Sequence, residues 1–361
     1  MIPPVGEPII PRLRAGTANF DWTFGGQYRP IFVDSGTTAL RLAIETAREF
    51  AGRAGPIWVP AYGCPDIVTA CATAGCEAIL YDVEEESPFF ATGQVALSGT
   101  IAVVAAHFLG LRHPAADIQI AARSAGALII EDSAQRFPMA GCEPYGDLVV
   151  LSFGRGKPVS LLEGGCLLVA PSLFDHASHA FLAYRRGDTN RLSAMKRMLH
   201  DIALQPQVYD FVHRLPGLHV GRVDYSAAPK PLIVGPRLVG LASRAANGFR
   251  SETTWQERQQ RTLLLVAERF PELRPLSHCS VEPPERLLRV PLLAMDGAAA
   301  AIRKARALGI GATHLYGSAL PDIERAPVEL VGDCRRARVF ASHLVTFPVM
   351  PATGKAHPRT R

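Results

Sequence analysis

The chain has 361 residues, 48% of them hydrophobic, and its 38 lysines and arginines against 33 aspartates and glutamates give a net charge of +5. This length and composition exclude a disordered or fibrous protein, because the apolar side chains suffice for one large core and a smaller one. The basic residues are scattered rather than gathered into a tract, so we expect no nucleic-acid partner.

Cysteine usage and hydropathy indicate the cellular compartment of the protein. The seven cysteines are odd in number and include no Cys-x-x-Cys pair, which is typical of reduced thiols in a cytoplasmic protein. No basic leader followed by a long apolar stretch opens the chain, and the apolar run from Ile101 is interrupted by His107. A membrane-spanning helix needs about 20 apolar residues, so we expect a cytoplasmic protein without a membrane span.

In the first half of the chain, short apolar segments alternate with helical ones. Residues 31–34 lead into a turn of small residues, Ser35-Gly36-Thr37-Thr38, and residues 39–50 then carry helical periodicity. Further strands are predicted at 57–59, 78–81, 101–106, 127–130, 148–153 and 166–169, with helices at 66–74 and 115–124. The alternation predicts an α/β fold with a mainly parallel sheet that is covered on both faces.

The second half is less regular and rich in arginine. The sequence of residues 251–270 predicts a polar helix. Beyond it, a strand, a helix and a strand are predicted at 287–293, 297–308 and 343–348. We therefore predict a large α/β domain over residues 1–245, with an N-terminal arm at 1–24, and a small α+β domain over residues 246–361.

Three features lie where predicted strands end, which is the edge of an open α/β sheet at which ligands bind. The first is the turn Ser35-Gly36-Thr37-Thr38 at a predicted helix start. Its free N–H groups, its hydroxyls and the positive end of the helix dipole suit a phosphate. The same residues also suit a structural helix cap, so both interpretations stay open.

The second feature is the segment Glu131-Asp132-Ser133-Ala134-Gln135, directly after the apolar strand at 127–130. A carboxylate at the edge of a buried sheet loses solvation free energy unless a cation or a strong donor meets it. A protonated pyridine nitrogen is one such partner. An aspartate that caps the following turn is the structural alternative.

The third feature is Lys157 in a glycine-rich turn after the strand at 148–153. A half-buried lysine can lose its proton and act as an amine nucleophile toward an aldehyde, whereas a solvated loop lysine would have no such role. A phosphate-binding P-loop is excluded, because Leu151 and Pro158 stand where that motif needs glycine and serine or threonine.

The cysteines offer two alternative sites. Cys64, Cys71 and Cys76 are separated by 7 and 5 positions, which fits no common zinc pattern, so we expect no metal site. A nucleophilic pair of Cys64 and His107 lacks a residue to orient it.

In this order, the segments resemble the DegT/DnrJ/EryC1/StrS family of sugar aminotransferases that depend on pyridoxal phosphate (PLP), within the fold-type-I PLP superfamily. The resemblance extends from Ser35 to Val169. It rests on Ser35-Gly36-Thr37-Thr38-Ala39-Leu40, Val59-Pro60-Ala61-Tyr62, Ala74-Gly75 with Tyr81-Asp82-Val83, His107-Phe108-Leu109-Gly110, Glu131-Asp132-Ser133-Ala134-Gln135, Gly146-Asp147, and Ser152-Phe153 with Lys157 and Glu163-Gly164-Gly165.

The resemblance implies roles for individual residues. Lys157 would be the catalytic residue and carry PLP as a Schiff base, while Asp132 would keep the pyridine nitrogen protonated. Gln135 would contact the 3-hydroxyl side of the ring. The phosphate would be held by Gly36, Thr37 and Ser152.

The chain also departs from the family's pattern. Cys64 stands where the family places the aromatic residue that stacks on the cofactor ring; Tyr62 and His107 are alternatives for a ring contact, or core residues. The family's asparagine that reaches the phosphate of the neighbouring subunit has no clear counterpart. The nearest candidate, Asp224-Tyr225, would set a carboxylate against a phosphate, so we leave this contact unassigned.

The resemblance implies a homodimeric aminotransferase that moves an amino group from glutamate to a nucleotide-linked keto-sugar in surface polysaccharide or glycoconjugate synthesis. The family's dehydratases carry histidine in place of the Schiff-base lysine, so Lys157 disfavours that branch. Two alternatives stay open: a PLP enzyme with a non-sugar substrate or another reaction, and a non-catalytic relative that binds a ligand.

Overall fold

The computed structural model describes residues 7–91, 98–187, 192–205, 208, 231–277, 285–324, 326–330 and 332–349. These residues form a 10-stranded sheet, helices on both of its faces, and a separate 3-stranded sheet near the C-terminal end. No helix among them is both long and apolar enough to span a membrane.

The large sheet has the strand order β12-β3-β2-β4-β5-β6-β7-β1-β9-β8. Its strands are β1 (Arg29–Val33), β2 (Ile57–Pro60), β3 (Ala78–Tyr81), β4 (Ala102–Ala106), β5 (Leu128–Asp132), β6 (Leu148–Ser152), β7 (Gly165–Val169), β8 (Arg185–Gly187), β9 (Leu232–Val234) and β12 (Val328–Leu330). The pairings from β12 through to β6 are parallel, as is β8 with β9. Strand β7 runs antiparallel to β6 and β1, and β1 runs antiparallel to β9.

The small sheet is antiparallel, with β11 between its two neighbours. Its strands are β10 (Arg274–Pro275), β11 (Arg289–Leu293) and β13 (Leu344–Pro348). The helices are α1 (Ile9–Ala15), α2 (Gly36–Ala51), α3 (Asp66–Thr73), α4 (Ala115–Ala125), α5 (Phe174–Ala180), α6 (Leu192–Ala203), α7 (Pro236–Arg250), α8 (Trp255–Arg269), α9 (Ala298–Ala307) and α10 (Arg335–His343).

Strand β6 shows why the sheet must be covered on both faces. Its alternate residues Leu148 and Val150 belong to the core that contains α2 and α3. Val149 and Leu151 point to the opposite face and belong to the core that contains α7. Successive side chains of a strand point to opposite faces. All four are buried, so both faces of the sheet are covered here. The predicted mainly parallel, doubly covered sheet is confirmed.

The C-terminal residues contribute to both sheets. Strand β12 pairs with β3 at the edge of the large sheet, although its residues fall within the range that we predicted as a small domain. The division at residue 245 stays a prediction. Strands β8, β9 and β12 have three residues each, too few to show a strand period in sequence.

Candidate active site

The turn after β1 and the end of β6 meet at one edge of the large sheet. Val33 and Ser152 both pair with Gly165, the first residue of β7. This register brings the start of α2 beside Ser152, although 116 positions separate Gly36 from Ser152 in sequence. The predicted phosphate ligands Gly36, Thr37 and Ser152 are therefore together in the fold.

Only glycine fits at the closest points of this edge. A β-carbon on Gly36 would lie 2.6 Å from the β-carbon of Ser152, and one on Gly165 would lie 2.3 Å from the carbonyl oxygen of Ser35. Ser35 caps α2, because its Oγ accepts a hydrogen bond of 3.0 Å from the N–H of Thr38. The N–H groups of Gly36 and Thr37 have no intrahelical acceptor, since a helix leaves its first N–H groups unpaired. These two donors and the Ser152 hydroxyl form a small polar cradle.

The hydroxyl of Thr37 has a partner within the protein. It donates a hydrogen bond of 3.0 Å to Oδ2 of Asp66, in the first turn of α3. The side chain of Thr37 therefore links the start of α2 to the start of α3, and its backbone N–H can still donate to an anion. Asp66 is a residue of this edge that no sequence motif indicated.

Asp132 ends β5 at the same edge and is buried. Burial raises the pKa of its carboxyl, and the negative charge of Asp66 adds to this rise. The N–H of Ala134, which donates to Oδ1 at 3.0 Å, and the positive charge of Lys157 oppose it. A cation brought next to Asp132 would supply the counter-charge that burial demands.

Lys157 lies in the loop that follows β6. The loop is held by hydrogen bonds from Phe153 N to Gly164 O at 2.8 Å and from Leu161 N to Phe153 O at 2.7 Å. Lys157 itself is half-buried, and its charge acts on both Asp132 and Cys64.

Gln135 is anchored on both sides of its amide. Oε1 accepts a hydrogen bond of 2.9 Å from the N–H of Leu109. Nε2 donates at 2.6 Å to the hydroxyl of Tyr316, which comes from the loop after α9. Sequence reasoning missed Tyr316 as a member of this site, because it lies 181 positions from Gln135.

These residues fit PLP. The polar cradle offers donors to a phosphate, Asp132 offers a negative charge to a pyridinium, and Lys157 offers an amine to an aldehyde. The three functions meet at one edge of the sheet, where strands β1, β5 and β6 end.

Residues 22–198 match the profile of the DegT/DnrJ/EryC1/StrS aminotransferase family. Over these residues, the chain is similar to this family. The match confirms the prediction of a PLP-dependent aminotransferase. The roles of the individual residues stay predictions. No curated protein gives a significant match to the chain.

Solved structures of family proteins superpose on the chain. E. coli GDP-4-keto-6-deoxy-D-mannose-3-dehydratase, with bound hydrated PLP, gives a TM-score of 0.69 at 12% identity and covers 97% of this chain and 95% of its own. The aminotransferase TlmJ from Streptoalloteichus hindustanus gives 0.65 at 18%, with 98% and 94% covered. DesI, solved in the presence of its TDP-sugar product, gives 0.62 at 17%, with 91% and 77% covered. These likenesses establish the fold.

The ring-stacking position of this aminotransferase differs from the family pattern. The charges of Lys157 and Asp132 both act on the Cys64 thiol. Burial raises its pKa to about 11, and Asp66 contributes to the rise; the thiol is therefore neutral near pH 7. The candidate for the missing asparagine, Asp224-Tyr225, lies outside the described residues.

The two alternative ring contacts are core residues. Tyr62 is buried, its hydroxyl donates to the carbonyl of Tyr316 at 3.4 Å, and its ring meets Phe340 edge-on at 4.9 Å. His107 is buried against Glu131, with Nε2 2.8 Å from Oε1.

The buried His107–Glu131 pair lies next to Asp132, because Glu131 precedes Asp132 in β5. Nδ1 of His107 accepts a hydrogen bond of 2.8 Å from the N–H of His113, so the ring proton is on Nε2 and points at Glu131. Glu131 also accepts from the N–H groups of Tyr145 at 2.6 Å and Gly146 at 2.8 Å. Burial opposes ionisation of Glu131, yet these bonds, that from His107 first, hold its pKa below the ordinary value. The pair thus fixes the residue that precedes Asp132.

Proposed function

We propose that the chain is an aminotransferase that moves an amino group from glutamate to a keto-sugar linked to a nucleotide, with PLP carried on Lys157. The observation that carries the proposal is the meeting of Lys157, Asp132 and the Gly36–Ser152 cradle at one sheet edge. Each supplies a different part of PLP chemistry, and none is explained by the fold alone.

Each residue has a defined task in this proposal. The N–H groups of Gly36 and Thr37 and the hydroxyl of Ser152 bind the phosphate. Asp132 remains ionised opposite a protonated ring nitrogen, and PLP, when bound, supplies the electron sink for amino-group transfer. The Nζ amine of Lys157, once free, takes the proton from the α-carbon of the amino donor.

The keto-sugar acceptor is proposed from two similar proteins. One is named for a GDP-linked keto-sugar and the other was solved with a TDP-sugar product. The first is a dehydratase, whereas the lysine at position 157 favours amino-group transfer for this chain. We further propose a cytoplasmic homodimer that serves surface polysaccharide or glycoconjugate synthesis.

Half-reactions test this function. The purified protein is loaded with PLP and mixed with glutamate, and the visible absorption band of the lysine-bound cofactor is followed. We expect glutamate to convert this band to that of the amine form of the cofactor, and a nucleotide-linked keto-sugar to restore it. Lys157→Ala should abolish the band, while Lys196→Ala, at an exposed lysine of α6, should leave it intact.

The same experiment separates the alternatives. Conversion by glutamate with restoration only by non-sugar ketones would favour a PLP enzyme with another substrate. Failure of glutamate and of other amino donors to change the band of the loaded protein would favour a non-catalytic relative.

A further inference from the structure

The hydroxyl of Tyr316 meets Gln135 inside the proposed cofactor pocket. The two atoms, Tyr316 Oη and Gln135 Nε2, are 2.6 Å apart. We propose that Tyr316 is a positioning residue of the active site, which fixes the amide of Gln135 toward the cofactor ring. This inference rests on the proposed function, because Gln135 acts on PLP only if PLP is bound.

The hydrogen-bond directions around Gln135 determine what remains for a ligand. Its oxygen is engaged by the N–H of Leu109, so the amide nitrogen must face Tyr316. One N–H of that nitrogen is donated to Tyr316, and the second is left for another acceptor. Without the Tyr316 hydroxyl, nothing in the described ranges would engage Nε2, and the amide would be held at its oxygen alone.

Tyr316 itself is held firmly. Its side chain is buried, its ring meets that of Tyr62 edge-on at 5.8 Å, and its carbonyl accepts from the Tyr62 hydroxyl at 3.4 Å. The preceding residue, Leu315, has a φ of 65°, a left-handed conformation that is costly for a residue with a branched side chain. Such backbone outliers cluster at functional sites, where the fold maintains them.

The state of the Tyr316 hydroxyl suits this role. Burial raises the pKa of Tyr316 well above the ordinary value, and the Cys64 thiol adds to the rise. The hydroxyl therefore keeps its proton near pH 7. Because it accepts from Gln135, that proton is free to point elsewhere.

A double-mutant cycle tests whether Tyr316 acts through Gln135. The variants are Tyr316→Phe, Gln135→Ala and their combination, and the readouts are the apparent dissociation constant of PLP and the pH at which the visible band of the lysine-bound cofactor titrates. We expect Tyr316→Phe to weaken PLP binding about fivefold, as for the loss of one neutral hydrogen bond, and to shift the band's titration. In the Gln135→Ala background, removal of the hydroxyl should change neither quantity.

Tyr28→Phe is the matched control. It also deletes a buried tyrosine hydroxyl, one that donates to the carbonyl of Gly146 at 3.0 Å, and should leave PLP binding unchanged. Tyr316→Leu provides a second variant without the hydroxyl should the phenylalanine protein not fold.

The outcomes separate this inference from the function on which it rests. The inference would be overturned if PLP affinity and the titration pH of the visible band were equal in wild type and Tyr316→Phe. It would also be overturned if removal of the Tyr316 hydroxyl weakened PLP binding equally in the wild type and in the Gln135→Ala background. In either case borohydride reduction would still attach PLP to Lys157 in the wild type. Absence of that adduct would instead overturn the proposed function.

Discussion

Gly36 and Ser152 are so close that a β-carbon on Gly36 would lie 2.7 Å from the Ser152 hydroxyl oxygen. We predict that Gly36→Ala destabilises the protein by about 2 kcal/mol, as overpacking does, and weakens PLP binding, because the added methyl group occupies the proposed phosphate cradle. Urea unfolding and PLP titration measure the two effects.

Gly240→Ala is the control for this change. Gly240 lies inside α7, and a β-carbon there would have no atom within 4 Å. Removing a glycine from an open helix position should raise the free energy of unfolding by roughly 0.5–1 kcal/mol and leave the PLP affinity unchanged. A Gly36→Ala protein that binds PLP as the wild type does would place the phosphate elsewhere.

Asp132→Asn separates stability from cofactor binding. Burial raises the pKa of Asp132 in the folded chain. Ionisation of this carboxyl therefore lowers the free energy of unfolding. The cofactor-free Asp132→Asn variant should be no less stable than the wild type near pH 7. PLP binding should weaken by about 3 kcal/mol, or roughly a hundredfold, because a buried cation loses its partner. Thermal unfolding without PLP and PLP titration provide the comparison; unchanged affinity would show that Asp132 does not face the ring nitrogen.

Acid should destabilise the protein partly through Glu131. Its pKa is held below the ordinary value of 4.5 in the folded chain, so its contribution to stability is complete above the unfolded pKa and is lost as pH falls through the folded pKa. Glu131→Gln should lower the free energy of unfolding near pH 7 by about 3 kcal/mol and flatten its fall at acid pH. Urea unfolding at a series of pH values tests both; a slope identical to that of the wild type would contradict the assignment.

A buried charge cluster connects the N-terminal arm to the Lys157 loop. Glu252 meets Arg12 at 3.2 Å and Arg258 at 2.9 Å and also pairs with Arg286, while Nη1 of Arg12 donates to the carbonyl of Pro158 at 2.9 Å. Burial, followed by the charge of Arg286, lowers the pKa of Arg12 to about 10. Glu252→Gln should therefore cost about 3 kcal/mol of unfolding free energy, since it leaves buried guanidinium groups with less counter-charge.

The control for Glu252→Gln is Glu257→Gln. Glu257 forms an exposed pair with Arg261 one helical turn away, and such pairs contribute between about 0 and 1 kcal/mol. Equal stability changes in the two variants would mean that the cluster does not stabilise the loop. Urea unfolding measures both.

The sequence predicted the sheet edge better than the surroundings of the site. Strand β5 and Asp132 form an apolar run that ends in a carboxylate, and this pattern is local. The Gln135–Tyr316 contact joins two parts of the chain through tertiary packing, which no local pattern records. The bond from the Thr37 hydroxyl to Asp66 is likewise non-local, because α3 begins beside α2 only in the folded chain.

The central claim is that PLP is carried on Lys157. The chain has five lysines, Lys157, Lys196, Lys230, Lys304 and Lys355, so the adduct can be assigned by peptide mass spectrometry after incubation with PLP and reduction with borohydride. The account predicts one stoichiometric adduct, on Lys157, and its loss in Lys157→Ala. No adduct, or one that persists on another lysine in Lys157→Ala with the same yield, would contradict it.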